Sequence, residues 1–146
     1  MAALSAATTR KFEGPQEEIS PKVAASDTYY KGAILCYDSS GYAAVPTDAA
    51  ALFPAGIVSG TYEDGVVDNA YAVGSGENPR ATLYRGKVWL PLASVAQTDA
   101  GELAYIADDN TLTQTAGSKT VAFLILDVDT TNDLALVDLR VPDRIA

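Results

Sequence analysis

Asp127-Val128-Asp129 places two carboxylates at alternate positions. On an extended strand both point to one side, where they could hold Mg²⁺ or Ca²⁺. The competing reading is a charged turn closing the apolar run before it. It is preferred, because a calcium loop takes about six to eight oxygen ligands and this spacing supplies too few. Asp108-Asp109-Asn110 reads in the same way, as a tight turn. Gly74-Ser75-Gly76 is a small-residue loop with no Gly-Lys-Ser/Thr after it, so it is no phosphate-cradling loop. Gly60, Gly65, Gly74 and Gly76 do not fit the dinucleotide fingerprint either. Histidine is absent, which removes Ser-His-Asp and Cys-His catalysis and histidine metal ligation together. The one cysteine, Cys36, lies in the apolar segment Gly32 to Tyr37 and reads as a small buried hydrophobe rather than a reactive thiol. These residues predict no catalytic centre, no metal site and no cofactor.

The charge balance narrows the partners. Ten Lys and Arg face nineteen Asp and Glu, for a net −9. The acidity is spread through both halves of the chain and is not a tail. Such a body repels phosphate backbones and lacks a basic face for anionic lipid, so neither nucleic acid nor membrane is an expected partner. No apolar run approaches the ~20 residues that cross a bilayer. Met1 to Arg10 contains no apolar core of a signal peptide, and a reducing cytoplasm is the expected place of synthesis.

The elements that must position any site read as short strands between turns. A chain of 146 residues is sized for one domain. Residues 1–17 are small, polar and aperiodic, and are expected to form an extended N-terminal arm. Either a frayed terminus or a segment that orders on a partner would have that composition. Residues 18–146 are expected to form a single β-domain. Gly32 to Tyr37 is a strand, Asp38-Ser39-Ser40-Gly41 a turn and Gly41 to Val45 its return, giving a hairpin. Thr47 to Phe53 predicts one helical turn stopped by Pro54. Further strands are expected at 55–60, 102–107 and 134–139. Ala81 to Leu90 is the longest alternating run, with Tyr84, Gly86, Val88 and Leu90 on one face and Arg85 and Lys87 on the other. Gly86 there signals a bulge or a close backbone approach. Val121-Ala122-Phe123-Leu124-Ile125-Leu126 is apolar at every position and needs cover on both faces. Val121, Phe123 and Ile125 are therefore candidates for a subunit interface. No helical period persists over ten residues, so the pattern predicts an all-β sandwich or barrel.

Two resemblances attach to these signals. Gly65-Val66-Val67-Asp68-Asn69-Ala70-Tyr71 resembles the uridine-binding hairpin of trimeric dUTP pyrophosphatases, in which an Asp at the position of Asp68 orients the attacking water. The Arg-Ser-Ser segment and Gly-rich C-terminal arm of that family are missing. The second resemblance spans about residues 1–140. Its signals, in order, are the Met-Ala-Ala-Leu-Ser-Ala start, Tyr30 to Asp38, Ser40 to Ala43, Arg85-Gly86-Lys87-Val88-Trp89, Asp99 to Asp109, and Leu126 to Asp129 before a last strand. In order and spacing these resemble the head decoration (cement) proteins of tailed bacteriophages. That resemblance implies a compact β-tulip-like domain and a homotrimer on the outer capsid surface of the virion, clamping neighbouring major capsid subunits without catalysis. It also implies an N-terminal arm that makes the capsid contact, here with Leu4, Arg10, Lys11 and Phe12. The rival classes are a trimeric β-scaffold enzyme, marked by Asp68 or the Asp127/Asp129 pair in a concave pocket, and a carbohydrate- or receptor-binding module, marked by Trp89 and several tyrosines exposed as a flat patch.

Overall fold

A computed structural model describes residues 4, 8–24, 28–47, 52–59, 66–68, 80–140 and 144–145. The predicted helical turn at 47–53 and the loop at 74–79 fall largely or wholly outside these residues. So does most of the Gly65 to Tyr71 segment.

The fold is all-β, as the turn-punctuated pattern predicts. Thirteen strands are described: β1 (Phe12–Ile19), β2 (Thr28–Tyr30), β3 (Ile34–Tyr37), β4 (Ala43–Ala44), β5 (Pro54–Val58), β6 (Val66–Asp68), β7 (Leu83–Pro91), β8 (Leu103–Ile106), β9 (Leu112–Thr113), β10 (Val121–Leu124), β11 (Asp127–Asp129), β12 (Leu134–Asp138) and β13 (Arg144–Ile145). One 3-10 turn, Gln97–Asp99, precedes β8. The main sheet has seven strands in the order β11-β12-β7-β5-β3-β4, with β1 also on β7. A second sheet runs β13-β10-β8-β9, and β2 pairs with β6 alone.

β7 is the hub of the main sheet, and both of its edges are paired. Leu83 lies between Ile19 of β1 and Val58 of β5, and Val88 between Phe12 of β1 and Val137 of β12. The alternation read from Ala81 to Leu90 is realised only from Gly86 onward, where Val88 and Leu90 are buried and Lys87 is exposed; Ala81 and Leu83 are buried in the other cluster, and Tyr84 and Arg85 are both half-buried. Gly86 marks a close approach. The register of β1 shifts between Glu13 and Glu17, and a Cβ on Gly86 would lie 3.0 Å from the Pro15 carbonyl oxygen. The bulge in β1 therefore requires glycine opposite it.

Two hydrophobic clusters lie on opposite faces of β3 and β5. Ile34, Cys36 and Ile57 join Val88, Leu90, Ala104, Ile106, Phe123, Ile125 and Val137 between the two sheets. Leu35, Ala55, Val58 and Leu83 pack with Val23 and Tyr29, and with the partly buried Leu4 and Ile19. Burial on both faces is why 33–36 is apolar at successive positions. The 32–45 hairpin forms as read: the Asp38 amide donates to the Tyr42 carbonyl at 2.8 Å, and the Asp38 carboxylate accepts from the Ser40 and Tyr42 amides.

The boundary between arm and domain differs from the reading at residue 17. β1 begins at Phe12, inside the expected arm, and crosses that boundary without a break. Its middle residues are exposed, so hydrogen bonds to β7 rather than an apolar stripe hold it in the sheet. Residues 12–17, about a third of the expected arm, are thus part of the main sheet.

Candidate functional site

Upstream of β1, the described residues Leu4 and 8–11 form a strap against the turn after β8 and the turn before β3. The Leu4 amide donates to Asp109 Oδ1 at 2.9 Å, and the Thr8 amide donates to the Lys31 carbonyl at 2.9 Å. Arg10 Nε donates to the Gly32 carbonyl at 2.9 Å, and its Nη2 donates to Asn110 Oδ1 at 2.7 Å. Gly32 has φ +86°, and a Cβ there would fall 2.5 Å from the Thr8 carbonyl oxygen and 2.6 Å from Thr8 Cγ2. Glycine thus serves both the backbone turn and the seat of the strap.

Burial shapes the electrostatics of this seat. Desolvation pulls the Arg10 guanidinium down to about 10, against the attraction of Asp109 and Asp108. Asp109 is only 4% exposed, and burial raises its carboxyl above the ordinary value despite the Leu4 amide and Arg10. Its backbone carbonyl accepts from the Ile34 amide at 2.7 Å, tying the turn to β3. Asp108 does what the turn reading expects: its Oδ1 accepts from the Asn110 and Thr111 amides at 2.8 Å. Asp109 has a role that the reading missed, because its partner is Leu4, far away in sequence.

Of the four arm residues, Leu4, Arg10 and Phe12 are therefore engaged by the body of the same chain. Phe12 packs against the larger cluster and meets Tyr84 edge to face, with ring centroids 6.4 Å apart. Lys11 is the one that faces solvent, its side chain 75% exposed and 3.4 Å from Glu13 Oε1. Glu13 also accepts from the Trp89 indole at 3.0 Å.

The apolar run at 121–126 needs a similar correction of direction. Val121, Phe123 and Ile125 point into the protomer's own core, where the inner face of the second sheet packs on the main sheet. Leu124 and Leu126 are the exposed members, at 37% and 43%. Leu124 pairs with Leu103, which shares its outward face, and the half-buried Tyr105 follows two positions on. The chain changes sheets at this point. The Ile125 amide donates to the Glu102 carbonyl, and the next amide, of Leu126, donates to Leu136. The outward leucines thus form a ridge where the two sheets meet, beside the exposed Glu102 and Asp127.

The remaining candidates have structural partners. Asp129 accepts from the Thr131 and Asn132 amides and from Asn132 Nδ2, which holds its carboxyl below the usual range. Asp127 accepts from the Val128 amide. The preferred turn reading holds for Asp129 alone: both residues lie on β11, paired with β12, and only Asp129, at its end, caps the turn that follows. Asp68 ends β6, opposite Thr28 of β2. Cys36 is 2% exposed and burial pushes its thiol up to about 12. Among the described residues no three His, Cys, Asp or Glu side chains come together as a metal set. Among the described tyrosines and Trp89 only Tyr37 is exposed, so these residues present no flat aromatic patch.

No protein-family model matches the sequence, and no curated protein matches it. Among solved structures, a chain from the capsid of Myoviridae Phage XM1 is similar, with a TM-score of 0.53 over 95% of this chain and 91% of that chain, at 15% identity. The likeness is one of fold.

Proposed function

We propose that this chain is a head decoration (cement) protein of a tailed phage, which binds the outer capsid surface as a homotrimer and braces neighbouring major capsid subunits. The observation that carries the reading is the fold shared with a phage-capsid chain over 95% of the length. The order of motifs from Tyr30 to Asp129 points the same way. So does the use of Asp108, Asp109 and Asp129 to hold a turn or the strap.

In this reading the outward ridge of Leu103, Leu124 and Leu126 supplies the trimer contact, since Val121, Phe123 and Ile125 fill the protomer core. The N-terminal segment meets the capsid while docked on its own domain. Leu4, Arg10 and Phe12 fix its course, and Lys11 offers a positive side chain on an otherwise acidic chain. Three segments in one trimer raise the effective concentration of the second and third contacts, so binding depends steeply on assembly.

The test is co-sedimentation of the purified chain with expanded, undecorated phage heads, with cryo-imaging of the pellet. Density at three-fold or quasi-three-fold positions is expected. Absence of binding to heads, or monomers spread over the lattice, overturns the reading. Hydrolysis of dUTP that is lost in Asp68→Asn would replace it with the enzyme class.

A further inference from the structure

A cavity of about 150 Å³ lies under the strap. That is well above the ~10–15 Å³ of probe-occupied space that one water needs. Thr8, Thr9 and Arg10 of the strap line it, with Gln16 from the β1 bulge, Lys31 from the turn before β3, and Ser59 after β5. None of the described lining residues is an Asp or Glu, on a chain of net charge −9.

The polar groups at this cavity are under-used. Ser59 Oγ is buried and has no hydrogen-bond partner. Such an orphan is costly to keep, and it marks a place where a partner belongs. Arg10 spends Nε and Nη2 on Gly32 and Asn110, and no hydrogen bond among the described residues occupies its Nη1. Lys31 forms no ion pair among the described residues. Asp108 and Asp109, the carboxylates that act on Arg10, belong to the same turn as Asn110 and do not line the cavity.

We infer that this cavity binds a small tetrahedral oxyanion, of the phosphate or sulfate class, held by Arg10 and Lys31 with hydroxyl donors from Ser59, Thr8 and Thr9. The strap and the β-domain both contribute, so the bound anion ties the N-terminal segment to the body. The inference stands apart from the head-decoration reading and is tested on the isolated chain.

The experiment is a thermal-unfolding titration of the full chain, read by Trp89 fluorescence, with sodium phosphate or sodium sulfate against sodium chloride and sodium acetate at matched ionic strength. Phosphate or sulfate raises the midpoint saturably, and chloride and acetate do not. Lys31→Met weakens the apparent affinity about tenfold, the loss expected for one charge-assisted contact. Ser59→Ala leaves the anion-free midpoint unchanged or higher, because it removes an unpaired hydroxyl, yet lowers the anion response. Amide shifts in an NMR titration fall on Thr8, Thr9 and Ser59. Three results overturn the inference: no saturable response beyond chloride, a response equalled by acetate, or a response that both variants retain. Should Lys31→Met fail to fold, Ser59→Ala and the amide map decide it.

Discussion

Single residues decide how the strap is seated and how the protein answers to pH. Gly32 combines a left-handed φ of +86° with a space that a Cβ would close to 2.5 Å from the Thr8 carbonyl. Gly32→Ala should cost about 1–3 kcal/mol of stability through backbone strain and expelled packing. Urea unfolding measures the loss, and faster trypsin cleavage after Arg10 or Lys11 reports the loosened strap. Asp138 carries the clearest pH response. A two-pronged contact from Arg140, at 3.1 and 3.0 Å, holds its carboxyl below the ordinary 3.8. Its stabilising contribution is therefore present above pH 3.8 and is lost as pH falls through the lower, folded value. Asp109 runs the other way: its raised value makes stability fall as pH climbs from 3.8 through the folded value. Urea midpoints across the acid range should show less acid loss in Asp138→Asn than in the parent, with the opposing slope of Asp109 left over. Cys36, with its thiol pushed to about 12, should resist iodoacetamide in the folded protein and label fully in denaturant. Labelling of the native chain at mildly alkaline pH would contradict its burial.

Among the elements, β1 has the largest structural consequence and the weakest sequence signal. It covers one edge of β7 from Leu83 to Val88, while β5 and β12 cover the other. Truncation of residues 2–9 leaves β1 whole and should keep cooperative unfolding, with faster hydrogen exchange at the Ile34 amide beside Asp109. Truncation through Ile19 opens the hub strand and uncovers Leu83 and Val88, so cooperative unfolding should be lost. Equal stability of the two truncations would show that β1 is a passive lid. The strand was hard to see because Phe12-Glu13-Gly14-Pro15-Gln16-Glu17-Glu18-Ile19 offers no alternation, and Gly and Pro sit at its centre. The 32–45 hairpin and β7 were legible for the converse reason. Their turns and burial pattern are local, and local chemistry specifies them.

For the whole molecule, the outward leucine ridge is the surface on which assembly is tested. Leu124 and Leu126 are exposed in the protomer while their neighbours Phe123 and Ile125 are fully buried. Leu124→Glu with Leu126→Glu should lower self-association at least tenfold by sedimentation, and the spectrum of the β-fold should not change. Phe123→Ala, by contrast, should cost about 3–5 kcal/mol by opening a cavity in the core, whatever the oligomeric state. If the glutamate pair leaves association untouched, these leucines carry no subunit contact.

Composition and local pattern determined the all-β class, the hairpin at 32–45, the two faces of β7 from Gly86 to Leu90 and the inert burial of Cys36. Each rests on residues close together in the chain: turn formers, a period of two, an apolar run. The tertiary structure decided the rest. An unbroken apolar run such as 121–126 does not say which alternate set turns inward, because both sets are equally hydrophobic. Only the packing of the two sheets assigns Phe123 to the core and Leu124 to the surface. The strap was equally hidden. Leu4 and Asp109 meet across more than a hundred residues, and Thr8 fits because Gly32 lacks a side chain. No period or motif encodes contacts at that separation, because they arise where the folded chain brings distant backbone and charge into the same dry space.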